Sequence, residues 1–175
     1  MKTFFTSDHH FYHKNIINLC NRPFQSQDEM HVAMIERWNS VVSTGDTVYH
    51  LGDFSLGGIE SFRSVAYRLN GFIKIVPGNH DKKWIKSWVN ESAKIELLNS
   101  IHTFSDGGVD IVLCHYPLEE WYGYYGGTYH LHGHCHGNLK TKLPRRMDVG
   151  VDCHNFYPLE LSDVIKMLEK TNEQI

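Results

Sequence analysis

Several common signatures are missing from this chain, and each absence removes a class of function. Its four cysteines, Cys20, Cys114, Cys135 and Cys153, include no C-x-x-C pair. That excludes a disulfide scaffold or a Cys-rich zinc module and points to a reducing compartment. Positive charge is not in excess: 17 Lys+Arg against 20 Asp+Glu give a formal charge of −3, which argues against a broadly basic surface that would hold nucleic acid by counterion release. No run of 18 apolar residues occurs, and the N-terminal Met-Lys-Thr-Phe-Phe-Thr turns polar at Ser7-Asp8, too short an apolar stretch for a signal peptide. The expectation is a soluble, cytoplasmic protein with no membrane partner. Repeats, linkers and low-complexity tracts are also missing. With 175 residues, 41% hydrophobic and 13% aromatic, the chain reads as one domain over residues 1–175 with a real core.

Histidine, by contrast, is abundant, at 13 residues. Solvated loops collect histidine too, which is a sufficient account of His31, His102 or His154. It does not account for histidines that stand beside Asp, Asn and Gly directly after short apolar runs. Five such blocks occur: Asp8-His9-His10, Gly52-Asp53, Gly78-Asn79-His80-Asp81, His115, and Gly133-His134-Cys135-His136. The runs before them include Phe4-Phe5-Thr6, Phe72–Val76 and Ile111–Cys114, so the blocks fall at predicted strand ends, where sequence-distant side chains can meet.

The remaining pattern is consistent with that layout. Ser26-Gln27-Asp28-Glu29 fits a capping box, and Met30, Met34, Trp38 and Val41 follow at helical spacing, predicting a helix from about Gln27 to Val42. A short helical piece is expected around Asn15–Cys20. Strands are expected at Thr47–Leu51 and 72–76, with an amphipathic helix between them presenting Ile59, Phe62, Ala66 and Leu69, and a further helix over 82–90. The second half reads as antiparallel: Lys94–Leu98, Ile101–Phe104 and Val109–Cys114, the last two joined by Asp106-Gly107-Gly108. Met147–Val151 is read as a further strand, and Ser162 as the cap of a closing helix with Val164, Ile165 and Leu168 inward.

Asp8 and His10, two apart, would share one face of an extended backbone, with His9 pointing away. Gly52 lets the chain turn sharply and expose Asp53, whose two oxygens suit a bridge between cations. Gly45-Asp46 has the same letters but precedes its strand. Asn79 offers a carbonyl ligand, His80 a titratable nitrogen, and Asp81 an acceptor that would fix the tautomer of His80. In the run from His130 to His136 alternation puts all four histidines on one face; Gly133 favours His134 and His136 as the ligands. Nitrogen and oxygen donors without thiolate suit Mn²⁺, Fe, Zn²⁺ or Ni²⁺ better than Cu(I) or an all-oxygen Mg²⁺ cage, and Mn²⁺ is the expected cofactor, two ions per chain. Two such ions ~3.5–4 Å apart would lower the pKa of a bridging water toward ~7 and clamp an in-line phosphoryl displacement.

D-x-H, G-D, G-N-H-D, a lone His and G-H-x-H, in this order over residues 4–136, resemble the calcineurin-like metallophosphoesterase superfamily. The resemblance implies an α+β fold, a four-layer α-β-β-α sandwich of two mixed sheets flanked by helices. It further implies that Asp8, His10 and His136 hold one metal, that Asn79, His115 and His134 hold the other, and that Asp53 bridges. His80 then stands as the acid that stabilises the transition state or protonates the leaving oxygen, with Asp81 orienting it. Many phosphatases of that superfamily read G-D-x-x-D-R, whereas Asp53 here is followed by Phe54-Ser55-Leu56-Gly57. This suits its small prokaryotic and phage-type branch.

The expected reaction is hydrolysis of a small, nucleotide-like phosphomonoester or diester. Expected substrate contacts are His13, Asn15 and Arg22, just downstream of the first block, and Tyr124 in the Gly/Tyr-rich loop at 119–129, where glycines 123, 126 and 127 would hinge a gate. Arg145-Arg146 reads as a solvated hairpin. Nuclease action is the alternative, disfavoured by the acidic balance, and a non-catalytic scaffold of the same fold is the remaining one.

Overall fold

The computed structural model describes residues 1–81, 85 and 93–172. The chain forms two mixed sheets flanked by helices. The first has the order β4-β3-β2-β1-β9, from β1 (Thr3–Thr6), β2 (Thr47–His50), β3 (Phe72–Ile75), β4 (Ile95–Leu97) and β9 (Leu159–Glu160). Strands β1 to β4 run parallel and β9 closes the edge antiparallel. The second sheet has the order β5-β6-β7-β8, from β5 (Ile101–Asp106), β6 (Val109–Cys114), β7 (Tyr129–His132) and β8 (Arg146–Asp148). Only β5 and β6 pair antiparallel, across the Gly107-Gly108 turn; β6, β7 and β8 are parallel.

The antiparallel reading of the second half is therefore corrected. The 95–97 strand belongs to the first sheet, parallel to β3, and the chain changes sheet between Leu97 and Ile101. Short apolar strands of this kind carry no mark of their partners, so direction was not legible. Likewise β8 stops at Asp148, after which Val151–Cys153 forms a 3-10 turn.

Alternation along each strand divides the core in two. Phe4, Val48, Ile73 and Ile75 pack outward against helix α2 (Gln27–Val41) through Met30, Met34 and Trp38, and against α3 (Gly58–Ala66) through Phe62 and Val65. Phe5, Tyr49 and Leu51 face the other way and meet Ile111, Leu113 and Leu131 between the sheets. There α4 (Leu161–Asn172) adds Val164 and Leu168.

At the N-terminus of α2 Ser26 Oγ accepts from Glu29 N at 3.2 Å, as a capping box requires, while Glu29 Oε2 accepts from Gln25 N at 2.7 Å, one residue before the cap. Ser162 is not a cap; it lies inside the first turn of α4, its hydroxyl 3.3 Å from Glu160 Oε1. The helix expected over 82–90 falls, apart from the buried Ile85, outside the described residues. Among the described residues no helix is long and apolar enough to cross a membrane.

Candidate metal centre

Five strands end at one edge of the two sheets, and the five blocks follow them. Asp8 and His10 leave β1, Asp53 leaves β2, Asn79 leaves β3, His115 leaves β6, and His134 and His136 leave β7. Asp8, His10 and His136 converge within 4.8 Å of one another, as do Asp53, His115 and His134. Asp53 Oδ2 lies between the groups, 3.6 Å from His10 Nε2 and 3.5 Å from His115 Nε2. Asn79 Oδ1 is 3.0 Å from His115 Nε2.

The backbone that aims these side chains differs from the extended chain expected. Asp8 (φ 60), His10 (φ 51), Asp53 (φ 56), His134 (φ 69) and His136 (φ 48) all adopt left-handed conformations, each costing about 1–3 kcal/mol and sustained only where the surroundings over-determine it. Asp8 and His10 thus share a site because the chain coils, not because it is pleated.

Hydrogen bonds hold the coil: Asp8 N to Gly52 O at 3.0 Å, His10 N to Asp53 O at 3.0 Å and Phe11 N to Phe54 O at 2.9 Å. Two glycines admit the approach. A Cβ on Gly78 would lie 2.3 Å from Asp53 Oδ1, and one on Gly133 would lie 2.3 Å from Asp8 Oδ2.

The donor set fits cations. Asp8 Oδ2 accepts from Ser7 Oγ at 2.6 Å and His134 N at 2.9 Å, while among the described residues its buried Oδ1 has no hydrogen-bond partner, and neither has His10 Nε2, which lies 3.9 Å away. Native interiors rarely leave such atoms orphaned. His115 Nδ1–H donates to Leu51 O at 2.7 Å, so the Nε2 lone pair faces the oxygens of Asn79 and Asp53. A bound metal, a proton on Nε2, or an Asn79 amide turned to present its N–H reconciles these acceptors.

The electrostatics agree. Burial pushes the Asp8 carboxyl up to about 7, and the His10 imidazole down to about 2. Burial would also raise Asp53, but the hydrogen bond and charge of His115 outweigh it and hold the carboxyl down at about 2. For His136 burial opposes protonation, yet the hydrogen bond to Asp152 and then Cys20 carry it up to about 10.

Other expected residues fall into distinct groups. His80 donates its backbone N–H to Asp53 Oδ1 at 2.8 Å, and its ring, 39% exposed, stands with Nε2 4.0 Å from Asp53 Oδ2. Asp81 does not orient that ring. Its Oδ2 accepts from Asp53 N at 2.7 Å and Gly78 N at 2.9 Å, and its Oδ1 from Phe54 N at 3.0 Å, so it ties the second block to the third.

His13 lines the cleft of about 230 Å³ over the site, with Ile16, Leu19 and Cys20 beside it and His10, Asp53, Asn79, His80, His134 and His136 around it. Asn15 does not line it; it is the N-cap of the short helix α1 (Ile16–Leu19). Nor does Tyr124, which sits in a 3-10 turn between left-handed Gly123 and Gly127, beside Trp121 and under Arg145. Arg22 is buried and engaged by Asp8 O, His9 O and Asp152, leaving no fork for a substrate. Arg146 is not a solvated hairpin residue either, since it is buried on Leu118 O and Thr141.

Of the bystander histidines, His9 turns inward to His50 at 2.9 Å. His130 Nε2 accepts from Leu118 N at 3.0 Å while its Nδ1–H donates to Val112 O at 2.9 Å. Sequence reasoning missed Asp152, which holds His136 Nδ1 at 2.7 Å, and Tyr116, whose ring lies 4.8 Å from that of His134. Both stand outside the five blocks, so no local pattern marked them.

A family model described as the calcineurin-like phosphoesterase superfamily domain matches residues 1–147. An uncharacterised protein of Methanocaldococcus jannaschii is 34% identical over 97% of this chain and 92% of its own length. A gene 66 protein of Mycobacterium phage D29 is 26% identical, covering 95% of this chain and 96% of the phage protein. Among solved structures, a protein of unknown function from Aquifex aeolicus superposes with a TM-score of 0.75 at 26% identity, over 95% of this chain and 98% of that one. With that family model spanning strands β1 to β7 and the converged side chains described above, the chain belongs to the calcineurin-like phosphoesterase superfamily, as a metal-dependent phosphoesterase.

Proposed function

We propose that the chain is a two-metal phosphodiesterase acting on a small, nucleotide-like ester, with Mn²⁺ as its metal. The observation that carries the two-metal reading is Asp53 Oδ2, set 3.6 and 3.5 Å from the Nε2 atoms of His10 and His115. In this reading Asp8, His10 and His136 hold one ion, Asn79, His115 and His134 the other, and Asp53 both. The pair would supply an activated water and neutralise charge growing on the phosphoryl oxygens.

The chain's own groups do the rest. His80 projects a partly exposed ring over the cleft, where a proton is delivered to the departing ester oxygen. Asp81, by fixing the N–H groups of Asp53, Phe54 and Gly78, keeps the bridging carboxylate and the His80 turn in register. His13 faces His10 and His80 at ring separations of 5.3 and 6.1 Å and meets the substrate's phosphoryl oxygens. Ile16 and Leu19 form an apolar wall for one ester arm.

Preference for a diester follows from charge. Among the described residues lining the cleft none is Arg or Lys. A dianionic monoester commonly meets a guanidinium fork, whereas a diester brings one negative charge. The four cysteines are free, in keeping with a cytoplasmic setting.

The test is a Mn²⁺-reconstituted screen over monoesters, linear diesters, cyclic nucleotides and labelled DNA and RNA. Turnover of linear or cyclic diesters well above that of matched monoesters is expected. A chain that binds two Mn²⁺ and cleaves nothing in the panel refutes the enzymatic reading; preference for monoesters refutes the diester assignment.

A further inference from the structure

The ligand His136 is held by a carboxylate that lies outside the family-model match, in the 3-10 turn after β8. Asp152 Oδ2 is 2.7 Å from His136 Nδ1. An imidazole donating its Nδ1–H there keeps its Nε2 lone pair free for a cation, and His136 groups with Asp8 and His10 within 4.8 Å.

Asp152 is itself fixed by a two-pronged guanidinium contact: Arg22 Nε reaches Oδ1 and Nη2 reaches Oδ2, both at 2.8 Å. The same guanidinium donates to Asp8 O at 2.7 Å and His9 O at 2.9 Å, the carbonyls of the left-handed turn that aims Asp8 and His10. The backbone joins the same segments, since Ser7 bridges Gly150 and accepts from Val151 N at 3.1 Å.

From this we infer that Asp152, oriented by Arg22, is the positioning residue of one metal position only. A single buried guanidinium connects its Asp8/His10 half to its His136 half. The second position, of Asn79, His115 and His134, is fixed by a different contact, His115 to Leu51 O. The competing account is a buried ion pair that merely stabilises the fold. That account predicts a lower melting temperature and no change in either metal affinity. The inference rests on the two-metal reading but is tested without any hydrolysis.

The experiment titrates Mn²⁺ into the metal-stripped full chain by calorimetry, with bound metal counted by elemental analysis, for wild type, Asp152→Asn and Arg22→Lys. Wild type is expected to bind two ions. Asp152→Asn weakens one of the two by about 10–100-fold, the usual cost of removing an outer carboxylate partner, and leaves the other within about twofold. Arg22→Lys, which keeps the charge but not the fork, gives a smaller loss at the same position.

In a His136→Ala background, adding Asp152→Asn changes metal binding no further, because the residue it serves is gone. Should Asp152→Asn fail to fold, Arg22→Lys carries the same comparison. Two ions bound with unchanged affinities in the folded variants overturn the inference and leave the two-metal reading standing. Equal weakening of both ions also overturns it. A wild-type chain that binds fewer than two ions overturns both.

Discussion

The same dipeptide stands at both ends of β2, and its two copies have opposite environments. Gly45-Asp46 precedes the strand; Asp46 is fully satisfied, with Oδ1 accepting from Lys2 N at 2.7 Å and Oδ2 from Ser43 N at 2.9 Å. Gly52-Asp53 follows it; Asp53 has one oxygen on His80 N and directs the other at the Nε2 atoms of His10 and His115, 3.6 and 3.5 Å away. One end uses a carboxylate to close a turn, and the other keeps one open for a ligand. In a parallel sheet the loops that leave the C-terminal strand edges converge, so this contrast follows from topology rather than from composition.

The comparison breaks most severely at Asp53. Asp53→Asn removes a carboxylate that stands 3.6 Å from His10 Nε2 and 3.5 Å from His115 Nε2, and on the proposed two-metal reading bound metal should fall from two ions to at most one. Turnover should drop by more than the ~10²–10⁴-fold a positioned proton donor contributes. Two ions retained by elemental analysis would remove Asp53 as the bridge.

His80→Ala comes next. The metal count stays, and kcat falls by ~10²–10⁴-fold; an unchanged kcat takes His80 out of the mechanism. Asp81→Asn is a milder change to the same end of the strand. It leaves at least one of the N–H groups of Asp53, Phe54 and Gly78 without its acceptor, at about 1–3 kcal/mol, measurable by urea unfolding together with a partial loss of bound metal. Wild-type stability in the variant would mean that water replaces the lost acceptor.

The smallest effect belongs to the other end. Asp46→Ala should lower the melting temperature while kcat and metal content stay at wild-type values. The backbone N–H groups of Lys2 and Ser43 hold the Asp46 carboxyl below its ordinary value. A group depressed in the folded state stabilises above its unfolded pKa, about 3.9, and that contribution is lost as pH falls through the folded value. The gap between the melting curves of variant and wild type should therefore be full at neutral pH, begin to narrow as pH falls below about 4 and close only below the folded value; a gap that does not narrow at all with acid would assign the effect to packing.

The side chains that converge at the strand ends were legible because each is a chemically committed residue in a short block after an apolar run. The capping box of α2 and the Gly107-Gly108 hairpin were legible for the same local reason. Sheet membership was not: Ile95–Leu97 reads as a strand whichever sheet receives it, and only the tertiary fold pairs it with β3. Arg22 was misjudged because a guanidinium near a metal block fits a phosphate as well as it fits Asp152, 130 residues away. Asp81 was misjudged by adjacency to His80, although its partners lie on the preceding loop. Tyr124 sits in a loop whose direction is set by Arg145 and Trp121, which no spacing rule encodes.

Gly78 and Gly133 each pass within 2.3 Å, measured to a would-be Cβ, of a carboxylate oxygen in the metal centre. For anyone redesigning this enzyme, these two glycines, and Gly52, whose Cβ would lie 2.5 Å from Gly78 N, are as restrictive as the carboxylates and imidazoles around them. A substitution library that protects titratable residues and varies the small ones would inactivate the chain at Gly78→Ala or Gly133→Ala, with every donor atom still encoded.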